Sequence, residues 1–254
     1  SFEALKAAQE RFAFDELFML QLGIINQKRQ WQALEGTPYP VSDDWLQSRL
    51  EGLPYMLTNA QRLAVEEMRR DIASNHPMNR LLQGDVGSGK TVVAVLGMAM
   101  VIEHEAQAAL MAPTGILAEQ HYRTIKRLLT APENGAEALL EPDQVRLLTG
   151  DTSSTDRKEI LARLQSGYIK CLIGTHALIE DPVAFYNLQM VVVDEQHRFG
   201  VEQRAALRSK GFNPHLLVMT ATPIPRSLQL TVFGDLDVSV MDEMPLGRLP
   251  IHTI

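Results

Sequence analysis

Residues 84–91 read Gly84-Asp85-Val86-Gly87-Ser88-Gly89-Lys90-Thr91, and they limit the fold more than any other stretch of the chain. The string has the form G-x-x-x-x-G-K-[ST], which cradles phosphates when it joins a strand to a helix. Both neighbours are present. Residues 80–83 (RLLQ) read as the end of a short strand, and residues 91–102 (TVVAVLGMAMVI) as a helix that is apolar on most sides. The glycines let successive backbone N–H groups curl around an anion, and the helix N-terminus adds partial positive charge. Lys90 can reach terminal phosphates, and the Thr91 hydroxyl can hold Mg²⁺.

The rest of the chain extends this βα unit. Short apolar runs at 108–112, 145–148, 170–173, 190–193 and 215–219 read as strands. Helical stretches at 116–129, 154–166 and 200–209 lie between them. Runs that are continuously apolar rather than alternating suit a parallel sheet covered on both faces. The expected fold is therefore α/β and doubly wound. Upstream, Thr58-Asn59-Ala60-Gln61 has the capping-box form and starts a helix that stops near Asn75-His76-Pro77. Residues 36–57 hold Gly36, Pro38, Pro40, Gly52 and Pro54 and read as a connector. Residues 1–35 carry Phe2, Leu5, Ala8, Phe12, Leu17, Leu20 and Ile24 at mostly helical spacing, as in one or two amphipathic helices packed against something. Residues 235–254, with Pro245, Gly247 and Pro250, read as a departing linker.

Composition excludes several classes. One cysteine, Cys171, leaves no internal disulfide framework and fits a reducing compartment. The longest nearly unbroken apolar run, 92–102, is too short to span a bilayer, and residues 1–4 lack a basic signal-like start. A cytoplasmic, membrane-free chain is expected. The net charge of −7 argues against a general electrostatic grip on nucleic acid. The basic clusters Arg123/Lys126/Arg127, Arg157/Lys158/Arg163 and Arg204/Arg208/Lys210 read first as solvated helix faces.

In a parallel sheet, ligands sit beyond the carboxyl ends of the strands. The run 190–193 ends in Asp194-Glu195-Gln196-His197. Adjacent carboxylates there supply the second half of a triphosphatase site, with Asp194 on Mg²⁺ and Glu195 orienting and deprotonating water. Other strand ends carry Thr114-Gly115, Thr149-Gly150 and Thr175-His176, whose hydroxyls and helix-start amides suit phosphodiester oxygens. Taken singly, each threonine also reads as a helix cap. The last strand runs into Thr220-Ala221-Thr222-Pro223-Ile224-Pro225-Arg226, a rigid bend that can relay the state of the nucleotide site.

The strings GDVGSGKT (84–91), APTGILAEQH (112–121), LLTG (147–150), IGTHALI (173–179), VVVDEQHRFGVEQR (191–204) and MTATPIPRSL (219–228) resemble the RecG family, superfamily-2 DNA helicases that migrate branch points. The resemblance covers roughly residues 54–250. It implies a RecA-like first motor lobe over 54–235 with a helical N-terminal extension. Residues 1–53 become the connector from an N-terminal wedge domain, and 236–254 the linker towards a second lobe. ATP and Mg²⁺ are the implied cofactors. Implied partners are branched DNA, gripped by its backbone, and the wedge and second lobe of a longer chain. Lys90 and Thr91 would hold the nucleotide with Gly84, Asp85, Val86, Gly87, Ser88 and Gly89; Asp194 and Glu195 would be the metal-side and catalytic carboxylates. His197, Thr220, Thr222 and Arg226 would couple hydrolysis to DNA movement. Thr114, Gly115, His121, Thr149, Gly150, Thr175 and His176 would line the DNA path. Residues 57–61 resemble the family's adenine-reading segment, so Gln61 has either a base-reading or a capping role. Gly115 departs from the family, which usually has a larger, often acidic residue there.

Other functions stay open at this point. An RNA helicase or another superfamily-2 translocase would use the same lobe, although DEQH for DEAD and TATP for SAT weigh against RNA. A guanine-nucleotide switch would usually carry N-K-x-D, which is missing. A non-catalytic interaction module sits badly with Lys90, Thr91, Asp194 and Glu195 together.

Overall fold

The computed structural model describes residues 2–194, 201–222 and 236–244. Seven strands form one sheet: β1 (Asn79–Gly84), β2 (Gln107–Met111), β3 (Val145–Leu148), β4 (Cys171–Gly174), β5 (Leu188–Asp194), β6 (His215–Thr220) and β7 (Asp237–Met241). Their order is β3-β4-β2-β5-β6-β1-β7, and every pairing is parallel.

The continuous apolar runs are explained by two cores. Along β2, Ala108 and Leu110 enter one core while Ala109 and Met111 enter the other. Met190 and Val192 in β5 are likewise split from Val191 and Val193. A strand buried on both faces has no polar side to alternate with. Helices α2 (Asp43–Glu51), α3 (Asn59–Ile72), α4 (Lys90–Ile102) and α5 (Gly115–Thr130) cover the first face; α6 (Ser154–Gln165) and α7 (Val201–Arg208) cover the second. Eleven of the thirteen residues of α4 are buried, from Val92 to Ile102. The helix that begins at the glycine-rich loop is therefore the most enclosed in the fold.

Two expectations are corrected. The connector at 36–57 contains α2, capped by Ser42, whose side chain accepts from Trp45 N at 3.1 Å. The expected linker begins instead as β7, which pairs with β1 from Arg80↔Asp237 to Gly84↔Met241. As an edge strand it alternates exposure, with Ser239 and Met241 buried and Val240 exposed. A continuous apolar run was the wrong signal for it. Residues 2–32 form one helix, α1 (Phe2–Gln32). Of its expected apolar stripe, Phe2, Leu5, Phe12, Leu17 and Leu20 are exposed in this structure, while Ile24 is partly buried and Lys28 and Trp31 meet the body.

That docking is specific. Trp31 Nε1 donates to Pro77 O at 3.2 Å, the Arg208 guanidinium lies 3.4 Å from the Trp31 ring centre, and Lys28 pairs with Asp237 at 2.8 Å. Gly36 N bonds Asn75 O at 2.8 Å, and Tyr39 N bonds Ile72 O at 2.9 Å. His215 at the start of β6 accepts from Met78 N at 2.9 Å, and its Nε2 faces Thr37 O at 3.3 Å. All of these contacts gather where the strands begin.

Candidate functional site

Where the strands end, the chemistry-bearing residues come together. Because every strand is parallel, the tips of β1, β2, β3, β4, β5 and β6 lie on one edge. Register fixes this: Asp194 is level with Met219, Gln83 with Thr220, and Met111 with both Val193 and Gly174. Along the edge run Thr149/Gly150, Thr175/His176, Thr114/Gly115, Asp194, Thr220/Thr222 and then the glycine-rich loop. Only β6 separates the tip of β5 from that of β1, so the two are about 10 Å apart.

The loop has the geometry its sequence calls for. Gly89 has φ 86° and immediately precedes α4; a Cβ there would collide with Gln61 Nε2. At Gly84 a Cβ would meet Ser88 Oγ at 2.6 Å. The loop is thus closed tightly around its own backbone, with no room for side chains at these positions. Lys90 Nζ donates to Gly84 O at 2.8 Å and to Asp85 O at 2.9 Å, which turns the ammonium in towards the loop. Ser88 Oγ is buried and has no hydrogen-bond partner among the described residues. It lies against Gly84, while the backbone amides at the start of α4 supply the donors a phosphate group needs. Thr91, one residue into α4, is half-buried.

Gln61 braces this loop from α3. The capping box forms in full: Thr58 N donates to Gln61 Oε1 at 2.9 Å, and Gln61 N to Thr58 Oγ1 at 3.2 Å. Its Nε2 then reaches Ser88 O at 2.7 Å, and the residue is 1% exposed. Both ends of the amide are thereby engaged within the chain.

Asp194 closes β5 and is half-buried. Its Oδ2 takes a 2.6 Å hydrogen bond from Nε2 of His121 on α5. This corrects the expectation for His121. It belongs to the buried stripe Ala118, His121, Ile125 and Leu129, and its ring is directed at the carboxylate rather than at the open edge. The spacing of that stripe was a readable sign that this histidine faces inwards.

The remaining edge residues are less committed. Thr114 Oγ1 caps α5 by accepting from Leu117 N at 3.3 Å, and Gly115 is exposed with nothing near its missing Cβ. Thr149 N donates to Thr152 Oγ1 at 3.0 Å, Gly150 and His176 are exposed, and Thr175 is buried. Thr220 and Thr222 hydroxyls face each other at 3.0 Å. Glu195, His197 and Arg226 lie outside the described residues.

The basic clusters are largely used up locally. Arg123 pairs with Glu119 at 2.5 Å, Arg157 with Glu180 at 3.3 Å, Arg163 with Glu159 at 3.2 Å, and Lys210 donates to Val183 O at 2.8 Å. Cys171 lies in the sheet interior, where burial pushes its thiol up to about 12, so it is no nucleophile. Among the described residues no three acidic, histidine or cysteine groups cluster as a self-sufficient metal site. A metal at Asp194 would need a ligand's oxygens to complete it. No helix among the described residues is long and apolar enough to cross a membrane.

Comparison with known proteins gives the family of the chain. The family model described as "DEAD/DEAH box helicase" matches residues 58–231. A protein of Synechocystis, named ATP-dependent DNA helicase RecG, is 50% identical over 99% of this chain and 29% of its own length. The Bacillus subtilis protein of the same name is 48% identical over 99% of this chain and 36% of its own. The chain thus spans about a third of the curated relatives it matches. A solved structure of RecG bound to a three-way DNA junction superposes with a TM-score of 0.80 at 44% identity, covering 99% of this chain and 32% of that one.

Proposed function

The chain belongs to the DEAD/DEAH box helicases, and from that premise we propose that it is the first motor lobe of an ATP-dependent DNA helicase that remodels branched DNA. Forks and Holliday junctions in recombination and repair are its substrates on this reading, and the cytoplasm its compartment. Its nearest supports are relatives named for that activity and a relative solved on a three-way junction.

One observation carries the reading. The phosphate loop at the tip of β1 and Asp194 at the tip of β5 share one sheet edge with a single strand between them. Gly84 to Thr91 grip the triphosphate of ATP, with Lys90 on its terminal phosphates. Thr91 and Asp194 hold Mg²⁺, which neutralises charge on the phosphoryl oxygens when bound. Glu195 takes the proton of the attacking water. Gln61 serves the nucleotide by fixing Ser88 and bordering the base. Thr220 and Thr222, with His197 and Arg226, pass the state of the site along the edge. There Thr114, Gly115, Thr149, Gly150, Thr175 and His176 meet the DNA backbone through hydroxyls and helix-start amides. The wedge domain and second lobe of a longer chain complete the machine, and the second lobe supplies an arginine worth ~10³–10⁵ in rate. This chain alone is then a slow hydrolase.

The test is a titration of the chain with fluorescent ADP and GDP analogues in Mg²⁺, for wild type and Lys90→Ala. Adenine should be preferred, and loss of the charged donor should weaken binding ~10–100-fold, as expected for about 1.5–3 kcal/mol. Equal or tighter guanine binding, or an unaffected Lys90→Ala variant, would overturn the nucleotide assignment. Fast turnover stimulated by forked DNA in this chain alone would overturn the need for a second lobe.

A further inference from the structure

The 2.6 Å contact between His121 and Asp194 joins two residues 73 positions apart. It exists because β2, which leads into α5, is the direct sheet neighbour of β5. Both side chains are largely buried, at 10% and 13% exposure. A carboxylate only accepts, so Nε2 of His121 carries the proton in this bond. The bond engages Oδ2, one of the two carboxylate oxygens, and restrains the plane of the group. We propose that His121 is a positioning residue for the metal-side carboxylate: it holds Asp194 so that its second oxygen meets the cation that accompanies the nucleotide.

The physical case rests on three points. Asp194 ends β5, and its largely buried side chain is met there by His121 from α5. The stripe Ala118, Ile125 and Leu129 anchors α5 firmly, so a histidine within it is a rigid arm. Carboxylates that bind metal through one oxygen are generally tied by a hydrogen bond on the other, and loss of such ties costs about 10–100-fold in metal affinity. An isolated histidine in this stripe would otherwise be an uneconomical choice, because a buried imidazole needs a partner where a leucine would not. This inference rests on the nucleotide-site reading above.

The experiment uses this 254-residue chain and a fluorescent ADP analogue, with no turnover required. Mg²⁺ is titrated at fixed nucleotide, and the affinity in excess chelator is measured in parallel. His121→Ala should raise the Mg²⁺ midpoint by ~10–100-fold while leaving metal-free nucleotide affinity within about twofold. His121→Gln, which can present an amide N–H near the Nε2 position, should recover most of the Mg²⁺ dependence. His121→Met, of similar size but without a donor, should behave like His121→Ala, and it decides the matter if the alanine variant does not fold. An unchanged Mg²⁺ midpoint in the methionine variant would overturn the proposal. So would an equal loss with and without metal, which marks a packing role, or a glutamine variant no better than methionine. If Lys90→Ala leaves nucleotide binding intact, the site reading itself falls and this inference falls with it; if Lys90→Ala weakens binding while the His121 variants match wild type, only the inference falls.

Discussion

The two edges of the sheet carry different kinds of contact. Where the strands begin, a set of long-range hydrogen bonds ties the segments before the sheet to it: Gly36 to Asn75, Tyr39 to Ile72, Trp31 to Pro77, Asn213 to Glu35, and His215 to both Met78 and Thr37. Where they end, two long-range bonds, His121 to Asp194 and Gln61 to Ser88, stand beside local ones: Lys90 bonds loop carbonyls and Thr220 bonds Thr222. The contacts at the strand ends hold side chains that face a ligand, whereas those at the strand starts hold the fold together.

If the edges divide the labour in this way, damage at the beginning of the strands should unfold the chain and spare nucleotide affinity. Arg80, the second residue of β1, is the strongest case. Buried between α3 and β7, it pairs with Glu67 at 2.9 Å and Asp71 at 2.8 Å and donates to Ser239 at 2.8 Å. Burial raises the Asp71 pKa, and the Arg80 hydrogen bond and charge offset part of that rise. Arg80→Ala would strand these carboxylates and should cost about 3–5 kcal/mol, read from denaturant melts. A larger effect on nucleotide affinity than on stability would erase the distinction between the edges.

His215 sharpens the contrast through pH. Burial pushes its pKa down to about 4, and Nδ1 can accept from Met78 only while unprotonated. The folded value lies below the ordinary 6.5, so between 6.5 and 4 the unfolded chain binds the extra proton. Stability is therefore complete above about pH 6.5 and falls as pH drops towards 4, by up to about 3 kcal/mol. In melts across that range His215→Gln should show a shallower slope than wild type. Identical slopes would mean that this edge has no such titrating lock.

The smallest effect belongs to the docking of α1. Trp31→Ala removes the Arg208 stack and the bond to Pro77, and should cost about 1–2 kcal/mol. Its clearest sign is faster proteolysis within residues 20–35, with the melting of the sheet nearly unchanged. Uniform protection of that stretch in the variant would show that α1 is held by something other than its tryptophan.

Much of this was legible in the chain. Five of the seven strands, β2 to β6, announce themselves as short apolar runs, and β1 is placed by the loop that follows it. The phosphate loop is readable because its chemistry is local: one short glycine-rich turn and one helix start. β7 was hidden because an edge strand alternates, as Val238, Ser239, Val240 and Met241 do, and the later prolines drew attention away. α2 lay between glycines and prolines, although Ser42 with Asp43 and Asp44 is a fair helix start. Periodicity found α1 but could not say what its apolar side meets. The pairing of His121 with Asp194 was not readable at all, since it depends on β2 lying beside β5, which sequence order does not reveal. Of the two roles the sequence left open for Gln61, the capping box is formed, but its bond to Ser88 needed the third dimension.

One small contact at the margin of the sheet bears on how force would travel. Glu243, just beyond β7, accepts a hydrogen bond from Ala60 N at 3.2 Å, in the first turn of the helix that also carries Gln61. Gln61 in turn grips Ser88. A tug arriving along the backbone from residue 245 onwards therefore has a short lever to the loop: one carboxylate, one helix turn and one amide. Loosening that lever would slacken the grip on phosphate without disturbing either core.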